Sequence, residues 1–229
     1  MPGDDVDATR LRMAQELRSL AEQGVAKKQY YLGRYYEAGL DGFPQNYAEA
    51  EKWYRKAAEQ GYADAQCQLG DMYFRGQRVL KNAAEAWEWY LLAAEQGSEY
   101  SQSQLAYMCA LGAGRDQSYA AAVYWYRRSA ARILPPPSLN SETVVNWHLC
   151  AANEGDAEAQ YWLGVMYANG ECVRQDYVYS HMWFNLSGAQ GHQGALKNRE
   201  MVAAKMTPAQ IAEAQKLGRE WKPTKQQAR

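Results

Sequence analysis

The stretch Gln66–Gly76, QCQLGDMYFRG, decides how the rest of the chain reads. Leu69, Gly70 and Tyr73 stand at three- and four-residue steps, the spacing of one face of an α-helix. A glycine in the middle of a helix costs about 1 kcal/mol relative to alanine, so Gly70 needs a reason. Repetition supplies the first part of it. The pattern Q-x-x-L-G-x-x-Y-x-x-G occurs also as Gln29, Leu32, Gly33, Tyr36, Gly39, and again as Gln160, Leu163, Gly164, Tyr167, Gly170. A further copy, Gln102, Leu105, Ala106, Cys109, Gly112, keeps the frame but replaces the inner Gly and the Tyr. Self-similarity at a fixed period is the mark of a repeat architecture.

A second pattern, A-x-x-W-Y-x-x-A-A, follows the first. It reads Ala50, Trp53, Tyr54, Ala57, Ala58, then Ala86, Trp89, Tyr90, Ala93, Ala94, then Ala122, Trp125, Tyr126, Ser129, Ala130. Looser copies centre on Trp147 with Ala151 and Ala152, and on Trp183 with Phe184. Two alternating helix types follow, an A helix carrying the first pattern and a B helix carrying the second. Small residues at Gly33, Gly70, Ala106 and Gly164 let neighbouring backbones approach, and the aromatic residues fill the space between hairpins. That accounts for a composition of 8 Trp and 18 Tyr against 3 Phe.

These residues resemble the Sel1-like repeat family, a relative of the tetratricopeptide repeats, over nearly all of Gly24 to Gly191; Ala106 and Cys109 depart from its pattern. The resemblance implies an all-α fold, a right-handed α-solenoid of antiparallel helix pairs. It also implies an adaptor or scaffold for other proteins, usually without enzymatic activity of its own.

The ends suit an array whose terminal helices must present a polar outer face. Asp7 to Gln23 reads as a B-type helix, so residues 1–23 form an N-terminal cap and residues 24–132 three helix-pair repeats. Residues 141–191 carry further repeat helices, and 192–229 form C-terminal capping helices and a tail that frays beyond Pro223. There Thr207 is the expected N-cap, with Pro208 at the first helical position and Gln210 completing a capping box. Leu217 and Trp221 are expected to pack on the last repeat.

One stretch breaks the pattern. RILPPPSLN, Arg132 to Asn140, contains three successive prolines, which no helix interior accepts. The B-helix tryptophans are 36 positions apart from Trp53 to Trp89, from Trp89 to Trp125 and from Trp147 to Trp183, but only 22 from Trp125 to Trp147. The deficit is the length of one A helix, about 21 Å at 1.5 Å per residue. Eight residues in polyproline conformation span roughly 25 Å. Residues 133–140 are therefore expected to replace one helix as a strut, with Asn140 or Ser141 capping the helix that carries Trp147. A linker between two domains and a ligand for a polyproline-binding module are the alternatives.

Bulk properties exclude some partners. With 25 basic and 26 acidic residues the net charge is -1, so nothing draws the chain electrostatically to nucleic acid. No run of roughly 18 apolar residues predicts membrane insertion, and the start MPGDDVDATR lacks the order of a signal peptide. A cytoplasmic location is expected, an exported or periplasmic one if a leader has been removed. Cys67, Cys109, Cys150 and Cys172 form no C-x-x-C pair and read as reduced, small apolar residues.

In tetratricopeptide-like arrays the A helices line the concave face. By that analogy, exposed positions fall two before the motif Leu and two and five after it: Tyr30, Arg34, Glu37; Cys67, Asp71, Phe74; Ser103, Tyr107, Ala110; Tyr161, Val165, Ala168. One turn earlier stand Lys27, Asp64, Tyr100 and Glu158, and beside Tyr161 stands Trp162. This stripe, mixed in charge and rich in Tyr, suits a peptide or protein partner. It lacks the successive Lys and Arg of a carboxylate clamp. A notch between Tyr107 and Tyr161, where the helix is missing, is the first expected docking place. The competing reading is a hydrolase or metal-dependent enzyme using His148, Cys150, Glu154, His181 and His192. No H-E-x-x-H, G-x-S-x-G, Walker or Rossmann pattern supports it, no cofactor is expected, and solvated or capping histidines are the simpler reading.

Overall fold

The structure, a computed structural model, describes residues 2–76, 80–129 and 141–224, with backbone alone at 2–8, 10 and 11. Among these residues twelve α-helices and no strand occur. They are α1 (Pro2–Glu22), α2 (Ala26–Ala38), α3 (Tyr47–Glu59), α4 (Ala63–Arg75), α5 (Ala83–Glu95) and α6 (Glu99–Leu111). Then follow α7 (Tyr119–Arg128), α8 (Ser141–Asn153), α9 (Ala157–Asn169), α10 (Tyr177–Ala189), α11 (Gln193–Ala203) and α12 (Pro208–Glu220). The A pattern lies on α2, α4, α6 and α9, and the B pattern on α3, α5, α7, α8 and α10. The chain is thus the expected all-α repeat fold of antiparallel helix pairs. It forms two compact units, one of residues 1–108 and 113–115, the other of 109–112 and 116–229. The strut expected at Ile133–Asn140 falls outside the described residues.

The motif glycines are explained by aromatic rings. A Cβ on Gly70 would lie 2.5 Å from the Tyr90 ring, on Gly33 2.7 Å from Tyr54, and on Gly164 2.5 Å from Phe184. Helices α2, α4 and α9 therefore each press a bare stretch of backbone against the aromatic residue of the B helix that follows. The closing glycine has a separate cause. Gly76 ends α4 in the left-handed region, φ 63°, where its N–H reaches the Met72 carbonyl.

The motif glutamine is the joint between hairpins. Gln66 is 3% exposed, yet its amide is paired on both sides. Its Nε2 donates to the Ala58 carbonyl in the last turn of α3 at 3.1 Å, and its Oε1 accepts from Gln96, just past α5, at 2.7 Å. Gln29 repeats the arrangement with Ala21 and Gln60, at 3.1 and 2.6 Å, and Gln160 with Ala152 and Gln190, at 3.1 and 2.9 Å. Ala21 belongs to α1, so the N-terminal helix does take the part of a B helix. It starts at Pro2, earlier than the expected Asp7. Gln102 donates to Ala94 at 3.0 Å, but its Oε1 has no partner among the described residues.

The B helices start on side-chain caps, Asn46, Asn82, Ser118 and Asp176, each accepting an N–H of the first turn. Their tryptophans are mostly core: Trp53, Trp147 and Trp183 are buried. Trp89 and Trp125 are half-buried beneath the guanidinium groups of Arg55 and Arg128. At the C-terminal end the capping box of Thr207 and Gln210 is present, with Pro208 at the start of α12. The Trp221 ring stands edge-on to Trp183 at 6.2 Å, closing the last repeat.

Replacing Gln66 by Leu removes two hydrogen bonds of the joint, while the Ala58 carbonyl keeps the Gly61 N–H and the exposed Gln96 amide turns to water, and is expected to cost about 1 kcal/mol. Gly70→Ala forces the Tyr90 ring outward at a similar cost. Both appear as lower urea midpoints, and an unchanged midpoint in either variant would refute the corresponding contact.

Candidate functional site

In the first unit the A helices leave an open cavity of about 820 Å³. Tyr30, Tyr31, Arg34, Tyr35 and Glu37 reach it from α2, and Asp64, Cys67, Gln68 and Asp71 from α4. Ser98, just before α6, and Tyr100 within it close the side. The carboxylates are held by phenols. Tyr54 donates to Glu37 Oε2 at 2.6 Å; Tyr90 and Tyr100 both donate to Asp71 Oδ1, at 2.8 and 2.6 Å. Burial first, and then the neighbouring carboxylate, pushes all three hydroxyls well above the ordinary tyrosine value. They remain donors across the physiological range. Tyr30 packs within 5.7 Å of Tyr31, Tyr54 and Tyr62. Cys67 Sγ lies 2.9 Å from Ser101 Oγ and 3.3 Å from Ser98 Oγ.

The second unit has a different cavity, of about 600 Å³. Tyr161, Trp162, Val165 and Ala168 of α9 face Tyr177 and Phe184 of α10 and Asn198, Met201, Val202 and Lys205 across from them. Among the described residues no carboxylate lines it. Beside it Glu158 pairs with Arg127, whose guanidinium sits 4.0 Å over the Trp162 ring, and the Trp162 indole donates to Glu158 Oε1 at 2.9 Å. His192 stacks on Tyr161 at 4.3 Å, and its Nδ1 accepts the Ala195 N–H at 3.1 Å, capping α11. Nε2 therefore carries the proton and donates to Glu158 Oε2 at 3.1 Å. Burial alone would raise the Glu158 carboxyl, but Trp162, Arg127 and His192 together hold it below the ordinary value.

Of the twelve residues expected at a binding surface, Tyr30, Arg34, Glu37, Asp64, Asp71 and Tyr100 come together in the first cavity, and Tyr161 and Trp162 in the second. Glu158 is held in its ion pair, and Lys27 is exposed on α2 without lining either cavity. Phe74 turns its ring onto Tyr107, 6.2 Å away. Tyr107 lies in the first unit and Tyr161 in the second. Tyr31, Tyr35 and Gln68 were not part of the expected stripe. They sit one before or three after the motif Leu, and a stripe one position wider would have included them.

The histidines behave differently from a solvated set. His192 caps a helix, but His148 and His181 are buried. The B-helix face that carries them turns inward, His148 against Tyr126 and His181 beside Arg199. Among the described residues no three His, Cys, Asp or Glu side chains gather as a metal site. His148 Nδ1 donates to the Val144 carbonyl at 2.8 Å, and burial pushes the imidazole down to about 4 despite that bond.

The unfolded chain takes up the His148 proton at about 6.5, the native chain only at about 4. Stability is thus unaffected above pH 6.5 and falls as the pH drops from 6.5 towards 4, by up to about 1.4 kcal/mol per pH unit. Urea unfolding between pH 7 and 5 is expected to show this slope and His148→Gln to flatten it; equal slopes would refute the assignment.

Comparison with known proteins agrees with the repeats. The family model described as Sel1 repeat matches residues 29–62, 63–98, 99–132 and 157–192. Residues 133–156, which hold α8, lie between the third and fourth matches. Over 198 residues the chain is 31% identical to chitin synthase regulatory factor 3 of Schizosaccharomyces pombe, an alignment covering 86% of this chain and 15% of that protein. Two solved structures resemble it. One is a protective antigen present in uropathogenic Escherichia coli strains and displaying an SLR fold (31% identity, 91% of this chain, 40% of that one, TM-score 0.46). The other is a Sel1 repeat protein from Oxalobacter formigenes (25% identity, 92% and 79%, TM-score 0.48). The chain therefore spans well under half the length of the yeast protein and of the Escherichia coli antigen.

Proposed function

This chain belongs to the Sel1 repeat family, and from that premise we propose that it is a non-enzymatic adaptor that binds a peptide or protein partner on its A-helix faces. The observation that carries the reading is the pair of tyrosine-walled cavities, one in each unit, both built on A helices. Tyrosine combines a large apolar ring with a polar tip and loses few rotamers on binding, which is why it anchors partners well. The yeast relative bears the name of a regulatory factor, and a regulatory rather than catalytic role is what is carried over here. The Gln, Leu and Gly of each A helix are consumed by the joints. The positions between them carry no structural duty in common, and they are where the two cavities differ.

Immobilised chain is expected to capture a partner from native lysate, and Tyr30→Ala or Trp162→Ala to weaken that capture at least fivefold. Each variant perturbs one cavity. Undiminished capture by both, with far-ultraviolet circular dichroism unchanged, would overturn the assignment of the A-helix faces.

A further inference from the structure

The first cavity holds more negative charge than its surroundings neutralise. Glu37, Asp64 and Asp71 line it, with Arg34 as the only cation of the lining among the described residues. Arg34 stands near the Tyr30 hydroxyl and draws it down, against the burial that raises it. Arg75 approaches Asp71 Oδ1 to 3.6 Å from outside the lining.

The two inner carboxylates are prepared on one side only. Asp71 receives both phenols on the same oxygen, Oδ1, and Glu37 receives Tyr54 on Oε2. Among the described residues Asp71 Oδ2 and Glu37 Oε1 accept no hydrogen bond from a neighbour. Phenol donors fix a carboxylate's orientation, so each group offers a pre-positioned acceptor to the cavity. Tyrosine rings wall the same space. An anionic guest would meet like charge, and an apolar guest would strip water from carboxylates without replacing it. A guanidinium answers both features: its N–H fork fits carboxylate oxygens, and its flat face stacks on tyrosine. A volume of about 820 Å³ exceeds one side chain and accommodates several residues of extended peptide.

We infer, resting on the reading of the A-helix faces as binding surfaces, that the first cavity receives an arginine side chain from an extended segment of a partner protein. Asp71 and Glu37 accept from the guanidinium, tyrosines stack on it, and the exposed carboxylate of Asp64 attracts it at the rim. The second cavity, lined by Lys205 and, among the described residues, no carboxylate, has no such preference.

The test uses the full chain and four pools of acetylated, amidated nonapeptides, random except for a central arginine, citrulline, glutamate or leucine. Citrulline keeps the shape of arginine and removes its charge. Competition anisotropy is expected to show the arginine pool binding at least tenfold more tightly than the citrulline pool. Glu37→Gln combined with Asp71→Asn should reduce that ratio to below twofold, and Asp64→Asn, at an exposed position, should lower it about threefold without touching the phenol bonds. Lys205→Ala should leave it unchanged. Alkylation of Cys67, mapped by mass spectrometry, should be slowed by the arginine pool alone. Equal binding of arginine and citrulline pools, or a ratio that survives in the folded carboxylate variants, overturns the inference. If all pools bind alike and Tyr30→Ala weakens them all, the adaptor reading stands and the arginine preference is wrong. If no pool binds, the preference is likewise wrong, and lysate capture decides the adaptor reading by itself.

Discussion

Everything in this fold hangs on an amide buried between three helices. A solenoid repeat cannot bury its apolar face alone, so its stability lies in the interface between one hairpin and the next. At that interface the last turn of each B helix ends in carbonyl groups with no partner inside the helix. The motif glutamine supplies one donor to such a carbonyl and uses its own oxygen to accept from the glutamine that closes the following B helix. Gln29, Gln66 and Gln160 do this with bonds of 2.6 to 3.1 Å. A leucine of similar volume would bury as much surface but make neither bond, leaving each carbonyl with the glycine N–H that follows its helix. The joint thus fixes register as well as contributing energy, because a slip by one residue would misplace both bonds.

The glycine–aromatic contact completes the joint from the other side. Removing the Cβ at Gly33, Gly70 and Gly164 brings the A helix onto the ring of Tyr54, Tyr90 or Phe184. Tyr54 and Tyr90 then extend beyond the backbone, and their hydroxyls reach Glu37 and Asp71. Phe184, without a hydroxyl, makes no such bond, and the cavity it lines contains no carboxylate among the described residues. The positions of Glu37 and Asp71 are taken there by Ala168 and Val165, so the hydroxyl and the carboxylate it would hold are lost together.

Much of this was legible in the sequence because it repeats. The spacing of Leu69, Gly70 and Tyr73 and its copies gave the helix type, the pairing and the core, and Thr207, Pro208 and Gln210 gave the last helix its start. The stripe two before and two and five after the motif Leu placed Tyr30, Arg34, Glu37 and Asp71 on one surface. What repetition does not encode is contact between positions that differ from copy to copy. Nothing in the spacing pairs Tyr100 with Asp71, or Arg127 with Glu158 and Trp162. The burial of His148 was also hidden, since a histidine beside a motif Trp reads as polar until the neighbouring helix, here α7 with Tyr126, is in place.

The third copy has a different residue at the closing position of its joint. Gln102 makes its donor bond to Ala94, but the position corresponding to Gln60, Gln96 and Gln190 is Arg132, and the oxygen of Gln102 has no partner among the described residues. In the same copy Ala106 replaces the bare glycine and Cys109 the tyrosine. The division between the two compact units falls at this helix, after Met108. A repeat array is held by nearest-neighbour terms, so each unit keeps its own packing. The same independence lets each unit carry its own cavity chemistry: joint residues repeat because the fold requires them, and the lining residues between them vary without cost to it.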